Sequence, residues 1–359
     1  MAGYVTAKRI QSIIKEFDLQ ILILLGQKSN GKSTAVKNIA VKAAYEKGEC
    51  LGYIRRYADD MKNDKIRKYF RSIKGFNIKS ITKGEYDEIR AYRGELRFCK
   101  LEVDDKGKEH VRYGKLAGYC FAINDYEHHA SLNYPEVKYL IFEEFITLKP
   151  YLDDEITKLN HIASTILRNN AGVLFMLANT ISSMSPYFRE YELTNINKQK
   201  VDTVEVYRKE DTNLGVFLTA PCDNKESYKM FFGAGASMIK RGEWQSHKQR
   251  KLENPRATYE TIYTMVLEYD THLFLMEFLR HESGSHVWFV SKKTTPIQKN
   301  TRIISDKNIE NEFCTIGFTP LSENESAIFK YLTLGKVAYS DNLTGTEFKQ
   351  AVDLLKKTF

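Results

Sequence analysis

The sequence lacks long apolar runs and paired cysteines, which argues against a membrane protein or a disulfide-bonded framework. No apolar stretch approaches the roughly 18 residues that a membrane-spanning helix needs, and no signal-peptide pattern opens the chain. The five cysteines are scattered without a C-x-x-C pair or a histidine at metal-ligand spacing, so we expect free thiols and no zinc site. We therefore expect a cytoplasmic protein with no membrane partner.

The composition is that of an ordinary globular protein. Hydrophobic residues make up 42% and charged residues 28% of the chain, which excludes wholesale disorder. A length of 359 residues is enough for two domains, each with its own core. The formal net charge of +8 is a small excess at this length, so charge alone does not identify a polyanionic partner.

Residues 26–33, GQKSNGKS, fit the phosphate-binding pattern G-x-x-x-x-G-K-[ST]. The apolar run LQILILL before it suits a buried parallel strand, and the segment after it has helical periodicity. Glycines let the backbone wrap a phosphate chain, so that amide N–H groups and the helix N-terminus face the anion. The pattern predicts an α/β P-loop NTPase that binds ATP and Mg²⁺, with Ser33 as a metal ligand and nucleotide contacts from Gly26, Lys28, Asn30, Gly31, Lys32, Ser33 and Thr34.

A second apolar strand, VKYLIF, is followed directly by Glu143 and Glu144. Because ligands bind at the carboxyl ends of parallel strands, we expect Glu143 on the metal side and Glu144 beside the attacking water. Tandem carboxylates indicate the glutamate-switched (ASCE) branch of P-loop NTPases. A third strand, GVLFMLAN, ends at Asn179, whose amide either contacts the γ-phosphate or the water during catalysis, or only caps the following turn.

Further segments carry a resemblance to a known family. Their order and spacing are similar, through about residue 190, to the DNA-encapsidation ATPases of small protein-primed podoviruses, phage genome-packaging motors related to the large terminases. The segments are YIRRY (53–57), GKLAGYCFAIN (114–124), YPEVKYLIFEEFI (134–146), LRNNAGVLFMLAN (167–179) and SPYF (185–188).

The resemblance implies ATP-driven translocation of double-stranded DNA into a phage procapsid. It implies a homo-oligomeric ring, a pentamer in the family, that grips the DNA phosphate backbone on the portal vertex in the infected host, with a structural RNA as a further candidate partner. It also implies that Arg168 is a catalytic finger reaching a neighbouring subunit. Glu143 departs from the family's aspartate, and its extra methylene either shifts the metal contact or makes it water-mediated.

The segment KNDKIRKYFRSIK carries six basic residues against one acidic residue. Three-residue steps between its basic positions predict a continuous basic helical face that extends to Lys74. Such a face could contact phosphates or a neighbouring subunit, or it could simply be exposed to solvent.

We expect three regions: a P-loop ATPase domain at 1–195, a basic linker at 196–257 and an α+β domain at 258–359. Strand patterns followed by an amphipathic helix favour α+β structure in the last region. Large terminases carry an RNase H-like nuclease there, which needs clustered carboxylates for two metals. No convincing motif surrounds the candidates, so we expect a nuclease-like fold without nuclease activity; they are Asp270, Glu277, Asp306 and Asp341.

Three other functions stay open on the sequence. Two are enzymes, a terminase with an active nuclease and a hexameric helicase. The third is a nucleotide-gated scaffold in which Glu143 and Glu144 are structural.

Overall fold

The computed structural model describes residues 4–129, 132–147, 151–167, 171–179, 184–196, 198–220, 249–270, 272–307 and 311–355. The chain divides into two compact units, Met1–Trp244 and Gln245–Phe359. Within the described residues, no helix is both long and apolar enough to cross a membrane.

The first unit is built on a nine-stranded sheet. The strands are β1 (Ile21–Gly26), β2 (Cys50–Arg55), β3 (Glu88–Tyr92), β4 (Glu95–Val103), β5 (Glu109–Ala122), β6 (Val137–Glu143), β7 (Val173–Asn179), β8 (Thr203–Lys209) and β9 (Thr212–Leu218). Their order is β3-β4-β5-β2-β6-β7-β1-β9-β8. The six central strands, in the order β5-β2-β6-β7-β1-β9, are mutually parallel. Strands β3 and β4 at one edge and β8 at the other edge are joined to the sheet by antiparallel pairing. The predicted parallel α/β architecture is confirmed.

Helices cover both faces of this sheet. They are α1 (Ala7–Phe17), α2 (Lys32–Lys47), α3 (Asn63–Tyr69), α4 (Ile78–Ile81), α5 (Glu155–Leu167) and α6 (Pro186–Glu190). Side chains of α1 to α4 enter one hydrophobic core, and side chains of α5 and α6 enter the other. Because helices bury both faces, the central strands are continuously apolar, as the run before the glycine loop is.

The basic segment forms a shorter helix than predicted. α3 ends at Tyr69 and is capped by Phe70, whose side chain is buried, so Arg71 and Lys74 do not extend it. Acidic neighbours also form salt bridges with three basic residues of the segment, which are Lys62–Asp59, Lys65–Asp60 and Arg67–Glu88. The prediction of one helical face through Lys74 is therefore wrong.

The prediction of a linker at 196–257 is also wrong for residues 203–218. Residues 203–218 form β8 and β9, and β9 pairs in parallel with β1, which makes them part of the first unit's sheet. The side chains of β8 are all intermediate or exposed, which explains why its polar sequence resembles a linker. Residues 221–248 of the expected linker lie outside the described residues.

The second unit has the α+β structure that the sequence predicts, but one short strand lies between its two α-helices among the described residues. Its strands are β10 (Tyr259–Tyr269), β11 (His272–His281), β12 (His286–Lys292), β13 (Arg302–Ser305), β14 (Cys314–Ile316) and β15 (Val337–Tyr339), with helices α7 (Glu323–Thr333) and α8 (Asn342–Leu355). The sheet order is β14-β13-β10-β11-β12-β15, an antiparallel β10-β11-β12 meander extended on both sides by parallel strands.

The four candidate nuclease residues make different contacts within the second unit. The Asp270 amide donates to the Asp306 carboxylate at 3.4 Å, and Glu277 is paired with Arg256. Asp341 accepts hydrogen bonds from Thr344 at the start of α8. Among the described residues, no group of three or more His, Cys, Asp or Glu side chains is arranged to hold a metal ion.

Candidate active site

The predicted site residues meet at one edge of the first sheet, where the parallel strands end. Gly26 at the end of β1 pairs in register with Asn179 at the end of β7, and Glu143 of β6 pairs with Leu177. A cavity of about 230 Å³ opens there. Its lining contains nearly every residue predicted from the sequence: Lys28, Asn30, Gly31, Lys32, Ser33, Thr34, Glu143, Glu144 and Asn179.

The loop between β1 and α2 requires glycine at both ends. Gly31, directly before α2, has a φ of 92°, a left-handed conformation that favours glycine. A Cβ on Gly31 would lie 2.7 Å from the Tyr4 ring, and one on Gly26 would lie 1.7 Å from the Thr219 hydroxyl. The two glycines therefore allow neighbouring chain segments to support the loop from behind.

Thr219, which follows β9, supports this loop. Its hydroxyl donates to the Leu25 carbonyl at 2.8 Å and accepts a hydrogen bond from the Asn30 side-chain amide. The Val5 amide donates to the Asn30 carbonyl at 2.9 Å. Asn30 is thus held on both sides and is 1% exposed, so its main role here is to fix the loop.

Lys32 lies at the floor of the cavity and is 6% exposed. Its ammonium donates to the carbonyls of Gly26 at 2.9 Å and Gln27 at 2.7 Å, and to the Asn30 side-chain oxygen at 3.0 Å. Burial lowers the pKa of Lys32 to about 7, while the nearby Glu143 carboxylate acts in the opposite direction. The three acceptor oxygens around the Lys32 nitrogen favour the protonated form against this effect of burial, and a bound anion would favour it further.

Glu143 is the inner of the two carboxylates. Burial raises the pKa of Glu143 above its ordinary value, and hydrogen bonds from Ser33 and Tyr69 together with the Lys37 charge counteract that effect. The Tyr69 hydroxyl donates to Glu143 Oε1 at 2.8 Å. The carboxylate therefore faces Ser33, the predicted metal ligand, from β6, which is separated from β1 by β7 in the sheet.

Glu144 is the outer carboxylate, and its side chain is 67% exposed. Its backbone is left-handed, with a φ of 58°, which is unusual for a residue with a Cβ and typical of functional sites. The carboxylate forms an ion pair of 2.9 Å with Arg55 at the end of β2. This turn separates two sequential glutamates into one partly buried and one exposed group.

Arg56 holds the turn that carries Glu144. Its guanidinium makes two 2.7 Å hydrogen bonds to the carboxylate of Glu155, the first residue of α5. The same group donates to the carbonyl of Glu144 at 3.2 Å and to that of Phe145 at 2.9 Å. Tyr187 adds a 2.8 Å hydrogen bond to Glu155. The end of β2, the start of α5 and the helix α6 are thereby joined around the turn that carries Glu144.

The sequence analysis missed Arg55, Arg56, Tyr69 and Thr219. The two arginines follow a buried strand at the same sheet edge as the glutamates, so the rule that ligands bind at the carboxyl ends of strands could have found them. Tyr69 and Thr219 carry no local signal, because they lie 74 and 189 residues from the side chains they contact. Arg168, the predicted finger, lies outside the described residues.

The residues of the cavity fit a magnesium nucleotide. Mg²⁺ is usually held by one or two carboxylates together with substrate phosphates and waters, and Glu143 with Ser33 matches that donor set. The N-terminus of α2 and the Lys32 ammonium provide the positive field that phosphates require.

The comparison with protein families agrees with this geometry. The family model described as Podovirus DNA encapsidation protein (Gp16) matches residues 11–213, which is more than half of the chain. The chain belongs to this family. The matched residues include the loop, both glutamates and the strands β1 to β8 of the first sheet, and they end at the second residue of β9.

Curated relatives of this chain are DNA packaging proteins of Bacillus phages. The DNA packaging protein of Bacillus phage B103 is 28% identical over 188 residues, 51% of each chain. The DNA packaging protein of Bacillus phage phi29 is 27% identical over 188 residues, 51% of this chain and 50% of the relative. The chain thus spans about half the length of the curated relatives it matches.

One solved structure has a fold similar to that of this chain. A chain of the bacteriophage Phi-29 viral genome packaging motor assembly matches with a TM-score of 0.54 and 17% identity, covering 100% of both chains. At that identity the likeness concerns the fold.

Proposed function

We propose that this encapsidation protein is an ATPase that drives double-stranded DNA into a phage procapsid. The observation that supports the proposal most is the single cavity in which the phosphate-binding loop faces both glutamates and Asn179. Family membership adds DNA packaging as the process that such hydrolysis would drive.

Each residue of the cavity has a role that follows from its position. The loop amides and Lys32 bind phosphate oxygens, while Ser33 and Glu143 hold the metal. Bound magnesium ATP supplies the transferable γ-phosphoryl group. Glu144 orients the attacking water and accepts its proton, which requires that its ion pair with Arg55 opens. Asn179 lies beside the loop, within reach of the same water or the γ-phosphate.

The assembly is proposed from the family. We propose a homo-oligomeric ring, which is a pentamer by resemblance to the family. The ring would lie on the procapsid portal in the host cytoplasm, with a structural RNA as a candidate partner. DNA contacts should be to the phosphate backbone, because a packaging motor has to accept every sequence. An extra guanidinium from a neighbour, Arg168, would stabilise charge on the transferring phosphoryl group.

ATPase assays with and without double-stranded DNA test the hydrolysis and its coupling. We expect DNA to stimulate turnover and added salt to weaken the stimulation steeply. Lys32→Ala should abolish nucleotide binding, whereas Lys42→Ala on the exposed face of the same helix is a matched control that should not. Glu144→Gln should bind nucleotide normally and lose at least about 100-fold in rate. Equal turnover with and without DNA at low salt would refute the motor, and an unchanged rate in Glu144→Gln would favour the scaffold.

Subunit mixing tests the proposed finger. Arg168→Ala subunits retain their own site, and Lys32→Ala subunits retain their finger, so each alone should be nearly inactive. A mixture should recover activity where a Lys32→Ala neighbour supplies its arginine. A mixture no more active than its components would show that Arg168 does not act across an interface.

A further inference from the structure

Tyr69, the last residue of α3, reaches Glu143 from a part of the chain 74 residues away. Its hydroxyl donates to Glu143 Oε1 at 2.8 Å. A phenol keeps its proton at neutral pH, so the Tyr69 hydroxyl acts as the donor in this contact. A protonated phenol beside a carboxylate is a fixed donor, and its hydrogen bond occupies one of the two carboxylate oxygens.

Tyr69 is itself held in one position by its neighbours. Its ring stacks on Tyr53 of β2 with 4.4 Å between centroids, and Phe70 packs edge-on at 4.8 Å. The Lys37 ammonium, from α2, donates to the Tyr69 carbonyl at 2.8 Å and lies 4.7 Å from the ring centroid. The hydroxyl is therefore placed by the strand beside β6 and by the helix that begins in the phosphate-binding loop.

This arrangement limits the orientations of the Glu143 carboxylate. A glutamate side chain has three rotatable bonds, so an unrestrained carboxylate in this position would sample several orientations. With Oε1 bound to Tyr69, and with Ser33 also hydrogen-bonded to the carboxylate, the group is turned toward the loop before any ligand arrives. Partners of metal-binding carboxylates commonly act in this way.

We propose that Tyr69 is a positioning residue of the nucleotide site, which orients Glu143 toward Ser33 and thereby sets the affinity of the site for the divalent metal. The proposal rests on the proposed function, because that function defines the ligand as a metal nucleotide. It goes beyond that function by assigning metal affinity to a residue of α3 that does not line the cavity.

Metal binding tests this role directly, without relying on turnover. Mn²⁺ binding in the presence of a non-hydrolysable ATP analogue can be followed by electron paramagnetic resonance on wild type, Tyr69→Phe and Tyr53→Phe. Tyr53→Phe is a matched control, since it removes a hydroxyl from the other ring of the stacked pair and leaves the Tyr69–Glu143 hydrogen bond. We expect Tyr69→Phe to weaken Mn²⁺ binding about 10-fold or more. Tyr53→Phe should stay within about twofold of wild type.

Coupling to Glu143 provides the second test. If Tyr69 acts through that carboxylate, the Tyr69→Phe, Glu143→Gln double variant should bind Mn²⁺ no more weakly than Glu143→Gln alone. Analogue binding in excess chelator should be equal in all variants, because it does not involve the metal.

The outcomes separate this inference from the function beneath it. Mn²⁺ affinity of Tyr69→Phe within twofold of wild type, an equal loss in Tyr53→Phe, or fully additive losses in the double variant would each overturn the role of Tyr69 while leaving the nucleotide site intact. Wild-type protein that binds neither analogue nor Mn²⁺ would overturn both.

Discussion

Each unit contains a buried arginine–glutamate pair, and the two pairs are built alike. In the first unit Arg56 binds Glu155, and in the second Arg302 binds Glu325 with a 2.7 Å contact. Both glutamates lie in the first turn of a helix and accept from a backbone amide. A tyrosine hydroxyl also donates to each, from Tyr187 at 2.8 Å and from Tyr263 at 2.9 Å.

The pairs differ in the carbonyls that the arginines bind. Arg56 donates to the backbone of Glu144 and Phe145, beside the cavity. Arg302 donates to backbone carbonyls of the second unit, among them Thr319 at 2.8 Å, in the segment between β14 and α7. The same chemistry thus holds the turn that carries Glu144 in the first unit and the segment before α7 in the second. A buried ion pair shows its function through what else it holds, because the pair alone is weak support for stability.

Removing either arginine should have the largest effect. Arg56→Ala and Arg302→Ala each leave a glutamate unpaired that is 3% or 4% exposed, which should cost about 3–5 kcal/mol of unfolding free energy in the affected unit. Only Arg56→Ala should also lower basal ATPase, by at least about 100-fold, since the Glu144 turn loses its support. Urea denaturation and ATPase assays on the folded fraction measure the two quantities. Equal ATPase losses in both variants would erase the distinction between the pairs.

The sequence predicts the central fold and most of the cavity for one physical reason. Apolar runs identify buried parallel strands, and parallel strands bring their carboxyl ends to one edge, so Lys32, Glu143 and Asn179 could be placed together. β8 could not be predicted, because an edge strand with exposed polar side chains has no apolar signature. The Arg56–Glu155 pair spans 99 residues, and nothing local in either segment specifies the partner.

Lysine substitutions should separate the effect of each arginine on stability from its effect on catalysis. A lysine keeps the positive charge but cannot form the two-pronged contact or reach the carbonyls at the same time. Arg56→Lys should lower the ATPase rate about 10-fold while affinity for an ATP analogue stays within about twofold, which a general folding defect would not do. Arg302→Lys should lower stability alone. ATPase assays measure the rate, and equilibrium binding of a fluorescent ATP analogue measures the affinity. A loss of affinity as large as the loss of rate in Arg56→Lys would contradict a positioning role.

The tyrosines should show the same contrast at smaller scale. Tyr187→Phe and Tyr263→Phe each remove one hydrogen bond to a charged group, which should cost about 1.5–3 kcal/mol of unfolding free energy. Tyr187→Phe should reduce basal ATPase about threefold, because Glu155 keeps its contacts with Arg56. Tyr263→Phe should leave the rate unchanged. Reversed effects on the rate would mean that the second pair, and not the first, supports hydrolysis.

The smallest expected effect is the loss, at acidic pH, of the stability that Glu325 contributes to the second unit. Burial alone would raise the pKa of Glu325, but the hydrogen bonds from Arg302, the Leu321 amide and Tyr263 hold that pKa below the ordinary 4.5. A carboxyl whose folded-state pKa is depressed stabilises the protein above the unfolded-state pKa, and this contribution is lost as pH falls through the folded-state value. The stability difference between wild type and Glu325→Gln should therefore shrink from about pH 5 toward about pH 3 in urea titrations. A difference that stays constant across that range would show that the charge on Glu325 does not stabilise the second unit.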